Sequence, residues 1–103
     1  KLKQEILARN VRCVAVQADV TQEASVNAMR DTVQKELGDA NIIVNNAVIQ
    51  CYPWKNILEQ PLADYESQYR SCVLHNVLMA RAFVPAMIRK GSGRVIAIIG
   101  ATM

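Results

Sequence analysis

Three short runs rich in β-branched residues alternate with stretches of helical spacing, and this alternation most constrains what the chain can fold into. Residues 11–20 read VRCVAVQADV, residues 41–48 read NIIVNNAV and residues 94–101 read RVIAIIGA. Ahead of the first run, Leu2, Ile6 and Leu7 lie at helical spacing, with Asn10 placed to end the helix in a left-handed conformation. Between the first and second runs, Val26, Met29, Val33 and Leu37 form one apolar stripe, with Thr21 placed as N-cap and Gly38 as terminator. Residues 64–90 carry a broad apolar face through Leu74, Leu78, Ala82 and Met79, Phe83, and Pro85 should kink or interrupt the helix. Gly91–Ser92–Gly93 supplies the last turn, and residues 50–61, with Tyr52, Trp54 and two prolines, read as an ordered surface loop. Strands alternating with helices argue for βαβ units around a parallel sheet: an α/β fold with about three strands and flanking helices.

Composition narrows the function classes. With 103 residues, 51% hydrophobic and 20% charged, the chain is one globular domain's worth of sequence without visible repeats or linkers. Twelve Lys and Arg against nine Asp and Glu leave a scattered net charge of +3, with no basic block suited to nucleic acid or an anionic membrane. No uncharged apolar run approaches the roughly 18 residues of a spanning helix, and the charged first ten residues do not resemble a signal peptide. Three cysteines, Cys13, Cys51 and Cys72, form no CxxC pair, so reduced thiols in the cytoplasm are expected. Cys72 and His75 could share a helix face as metal ligands, but no local spacing supplies the others. The expectation is no metal site and a structural His75.

In parallel α/β sheets, ligands collect at the carboxyl ends of strands. The small and polar residues of this sequence fall there: Asp19 at the end of the first run, Asn45 and Asn46 at that of the second, and Gly100 at that of the third. Taken by themselves, Asp19 also suits a helix cap or a loop carboxylate, and both asparagines suit backbone turns.

Three segments, ADV at 18–20, IIVNNA at 42–47 and AFVPAMIRKGSGRVIAI at 82–98, resemble the short-chain dehydrogenase/reductase family in content and in mutual spacing. The resemblance implies that the chain is the central segment, 1–103, of a doubly wound, Rossmann-like NAD(P)-binding domain. It implies a parent enzyme that passes hydride between NAD or NADP and a small carbonyl or alcohol substrate. It places Asp19 and the backbone of Val20 at the adenine, Asn46 at the nucleotide ribose, and Ala47 where a small residue allows close approach. Val48 stands where the family has Gly. The family's helix Asn and catalytic Ser correspond to Cys72 and Gly100. Asn76, one turn on, is displaced by roughly 6 Å from the missing amide, and Thr102 by roughly 6.6 Å from the missing hydroxyl.

The family's glycine-rich loop would precede Lys1, and its Tyr and Lys would follow Met103, so the 103-residue chain alone is expected to be inactive. The alternative is a non-catalytic member serving as a nucleotide-binding or assembly segment. The resemblance also suggests a homo-oligomer through helix 64–90, by the face carrying Leu74, Leu78 and Met79. In the family's strand order, 3-2-1-4-5-6, two strands absent here would separate run 11–20 from run 41–48. Unpaired buried edges are costly, so the first run is expected to close directly onto the second, protecting Ile42 and Val44.

Overall fold

The computed structural model describes residues 1–48, 53 and 55–98. Its elements are α1 (Leu2–Leu7), α2 (Glu23–Leu37), β1 (Ile42–Asn45), α3 (Leu62–Tyr69), a π turn (Arg70–Leu74), α4 (His75–Lys90) and β2 (Arg94–Ala97). Both strands come from apolar runs too short for helices, and they pair in parallel with Ile43 opposite Val95 and Asn45 opposite Ala97. The ladder extends beyond the strand ends, since Arg94 donates to the Asn41 carbonyl and Ile98 to that of Asn45.

One face of β1 builds the core. Ile43 packs with Val26 from α2 and with Leu78, Ala82, Phe83 and Met87 from α4, while Met29, Val33, Leu74 and Met79 close around them. The stripe on α2 therefore does what its spacing implies, and Val26 is wholly enclosed. An exposed ion pair, Arg81 to Glu23 at 3.1 Å, spans α2 and α4; at that exposure it adds little stability.

Helix ends follow the residues placed there. Asn10 adopts φ 60° and Gly38 φ 90°. Gly91 is left-handed, with Gly91 N–H on the Ile88 carbonyl and Ser92 N–H on that of Met87, the paired bonds of a Schellman motif. Gly93 is required for a different reason: a Cβ there would sit 2.5 Å from Met87 Sδ, inside the core. Thr21 does not cap α2, because the helix begins later, with Gln22 at the N-cap position and no side-chain cap.

Three expectations are corrected. Residues 11–20 form no strand, and among the described residues the sheet is the β1–β2 pair, two strands rather than about three. An extended, β-branched segment becomes a strand only beside a neighbour that completes its ladder, and β1 takes only β2. Ile42 and Val44 are consequently 61% and 55% exposed instead of protected. Second, α4 runs unbroken through Pro85. Both Pro85 and Arg81 lie on the solvent side, so the Arg81 carbonyl that loses its helical donor can meet water. The helix irregularity falls instead at the π turn. Third, the helical segment Leu62–Lys90 is long and apolar enough to cross a bilayer by length and composition, which a search for uncharged runs overlooks. Its inner face is committed to the core.

Candidate functional site

Asp19 ends the extended segment with its carboxylate in solvent. Oδ1 accepts from the Thr21 backbone N–H at 2.9 Å and from the Thr21 hydroxyl at 2.6 Å, an Asx turn that fixes the side chain. Ser25, in the first turn of α2, accepts from the Asp19 N–H at 2.8 Å. The Thr21 hydroxyl, and after it the Thr21 N–H, hold the Asp19 carboxyl below its ordinary value, against a smaller opposite effect of burial. Asp19 is thus a loop carboxylate and not a helix cap, and its second oxygen accepts no bond among the described residues. Val20 beside it is half-buried.

At the end of β1, Asn45 is 3% exposed while Asn46, Ala47 and Val48 emerge into solvent. The alternation of the strand points Asn45 to the same side as Ile43, toward α4. There its Nδ2 donates to Asn76 Oδ1 at 2.9 Å, and Asn76 Nδ2 donates to the Cys72 carbonyl at 2.7 Å. Asn45 Oδ1 is buried and has no partner among the described residues. Spacing along the helix sets Asn76 one turn beyond Cys72 but carries no sign that Asn76 reaches across to Asn45. The one available signal was the four-residue step from Cys72 to Asn76, which places the amide over the carbonyl one turn back.

Cys72 lies in the π turn with its thiol exposed, 3.7 Å from both Gln68 Oε1 and Ser71 Oγ. Ser71 is completely enclosed, and His75 is buried with Nδ1 3.1 Å from the Ser71 carbonyl. A carbonyl only accepts, so Nδ1 carries the hydrogen and His75 is a structural residue of the helix. Among the described residues no three metal-ligating side chains cluster. Gly100 and Thr102, like Cys51, Tyr52 and Trp54 of the loop, lie outside the described residues. Among the described residues no hydrogen bond joins the Asp19 turn to the Asn45–Asn76–Cys72 relay; Asp19 closes the segment before α2, and Asn45 closes β1.

The short chain dehydrogenase family matches residues 1–102. The chain belongs to that family. A 1-deoxy-11-beta-hydroxypentalenate dehydrogenase of Streptomyces exfoliatus is 33% identical over 87 residues, covering 84% of this short-chain dehydrogenase sequence and 32% of its own. Among solved structures, a metagenomic short-chain oxidoreductase in complex with NADP superposes with TM-score 0.86 at 23% identity, over 98% of this chain and 45% of its own. A gluconate 5-dehydrogenase from Burkholderia cenocepacia, in complex with NADP and tartrate, gives TM-score 0.84 at 25% identity, over 96% of this chain and 38% of its own. The chain therefore spans about a third of the length of the curated relatives it matches. It has the partial Rossmann-like α/β fold of these proteins, and the separation of residues 11–20 from β1 accompanies that match.

Proposed function

We propose that the whole protein is an NAD(P)-dependent oxidoreductase that moves hydride between a nicotinamide and a carbonyl or alcohol of a small molecule. The observation that carries this reading is a pair of prepared acceptors, each at the carboxyl end of its segment. One is the Asp19 carboxylate, fixed by Thr21; the other is the unpartnered Asn45 oxygen at the root of the exposed Asn46–Ala47 segment. Family membership and likeness to NADP-bound structures support it.

These residues fit a dinucleotide. The free oxygen of Asp19 would accept from the exocyclic amine of the adenine, with the Val20 backbone alongside. Asn46 would border the ribose, and the single methyl of Ala47 would permit close approach, narrowed on its far side by Val48. When bound, the nicotinamide supplies or takes up the hydride; the residues of this chain bind and orient. A cytoplasmic location belongs to the same proposal, supported by the unpaired Cys13 and Cys72.

A homo-oligomer through helix Leu62–Lys90 is also proposed, by a different face from the one the sequence suggested. Leu78 is core, with Leu74 and Met79 packed against it. Tyr69, Val73 and Val77 instead form an exposed stripe at four-residue spacing.

The test is titration of the whole protein with NADPH and NADH, followed by carbonyl-reduction assays. Binding of either dinucleotide, weakened about tenfold by Asp19→Ala through loss of one hydrogen bond to a charged group, is the expected result. Failure to bind either, in a folded protein, contradicts the reading.

A further inference from the structure

We propose that Asn76 is a positioning residue for the dinucleotide segment: it sets which way the Asn45 amide faces and so anchors the strand end from which Asn46 and Ala47 emerge. The argument rests on the direction of three consecutive groups. The Cys72 carbonyl can only accept, so Asn76 must present Nδ2 to it, at 2.7 Å. That leaves Asn76 Oδ1 facing β1, where it can only accept, so Asn45 must present its own Nδ2, at 2.9 Å. Each amide orientation is thereby dictated by the next, and the series begins at a backbone carbonyl inside the π turn.

The last member carries the consequence. Asn45 Oδ1 is enclosed and accepts nothing among the described residues, an arrangement that an amide free to turn would have no reason to keep, because a buried acceptor without a donor is destabilising. The relay imposes it and leaves an acceptor ready for a donor at the end of β1. It also links α4 to β1 at a point where the ladder is ending, since the Ile98 N–H on the Asn45 carbonyl is the last interstrand bond described. The backbone of Asn45 is thus held by β2 and its side chain by Asn76, immediately before the chain leaves the sheet. A strand end held on two sides projects the next two residues in a fixed direction, whereas one held by the ladder alone can swing.

The proposal rests on the dinucleotide reading above, and the experiment separates the two. In the whole protein, Asn76→Leu keeps the volume of the side chain and removes both bonds; Asn76→Asp keeps an acceptor for Asn45 but sets its other oxygen against the Cys72 carbonyl. NADPH affinity is measured together with the KM and kcat of the hydride transfer and the side-chain NH2 resonances of Asn45 by NMR. We expect Asn76→Leu to raise Kd and KM for NADPH about tenfold, the scale of one lost ordering hydrogen bond, with kcat changed less, and to abolish slow exchange of the Asn45 NH2. Asn76→Asp should also weaken binding, because two acceptors then face each other at Cys72, but it should keep the protected Asn45 NH2 signal. If Asn76→Leu leaves affinity and the Asn45 signal unchanged, or Asn76→Asp loses the Asn45 signal as Asn76→Leu does, Asn76 merely packs and the proposal is overturned. If the parent protein binds no dinucleotide, the functional reading fails by itself, and the Asn45 signal in the two variants still decides whether Asn76 sets the orientation of the amide.

Discussion

The two ends of this short-chain dehydrogenase segment obey different rules. From α2 onward, helices and the β1–β2 pair enclose Val26, Ile43, Leu78 and Phe83 in one cluster. The first twenty residues contribute no buried side chain, and residues 11–20, the richest β-branched stretch before β1, pair with nothing. The difference is one of hydrogen-bond supply. A helix satisfies its backbone internally, so α2 and α4 need only one apolar face against a neighbour. A strand borrows its partners from another strand, and strand propensity cannot supply them. Unpaired edges do not draw run 11–20 onto β1. Nothing in that run is fully buried, and water can satisfy its backbone at little cost; Val11 is 52% exposed.

Substitutions should divide along this line. The largest effect is expected in the packed half: Phe83→Ala, truncating a ring that is 5% exposed, should cost about 3–5 kcal/mol in denaturant unfolding. Next comes Gly93→Ala, whose methyl would meet Met87 and displace it from the core, at about 1–3 kcal/mol. In the other half, Val11→Thr should change stability by less than about 0.5 kcal/mol, since the side chain is exposed and its backbone joins no ladder. A Val11→Thr effect as large as that of Gly93→Ala would erase the contrast between the halves.

Acid tests the junction between the two regions. The Asp19 carboxyl has a lower pKa folded than unfolded because Thr21 donates to its ionised form. Its stabilisation of the turn before α2 is therefore fully present above its ordinary value and lost as pH falls through the lower, folded one. The small acid-induced loosening of Asp19–Thr21, followed by amide chemical shifts from pH 6 downward, should be reduced and moved to higher pH in Thr21→Val, which removes the hydroxyl and keeps the backbone N–H. The same titration curve in that variant would remove Thr21 as the cause.

Much of this was readable from residue order. The stripe Val26, Met29, Val33 faces the core, Gly38 and Gly91 end helices, and Asn45 with Asn46 stands at a strand end because apolar periodicity and helix stops are local signals. What escaped was non-local. The π turn at Arg70–Leu74 has no breaker to announce it, and Pro85, the visible breaker, is harmless because it faces water. The site shows the same limit: Asp19 was identifiable, but its partners Thr21 and Ser25 depend on a turn, and the Asn45–Asn76 bond joins residues 31 apart. Spacing along one helix could say what Asn76 does not reach; only the packing of α4 on β1 says what it does.

The account's central claim is that the Asp19 turn and the Asn46–Ala47 segment, separate in the hydrogen-bond network, are two parts of one dinucleotide site. Amide hydrogen exchange on the whole protein, with and without saturating NADPH, tests it most directly. The account predicts that NADPH slows exchange at Asp19–Thr21 and at Asn46–Ala47 together, with the α4 core already protected in both states. NADPH binding that protects neither segment, or only one of them, would contradict it.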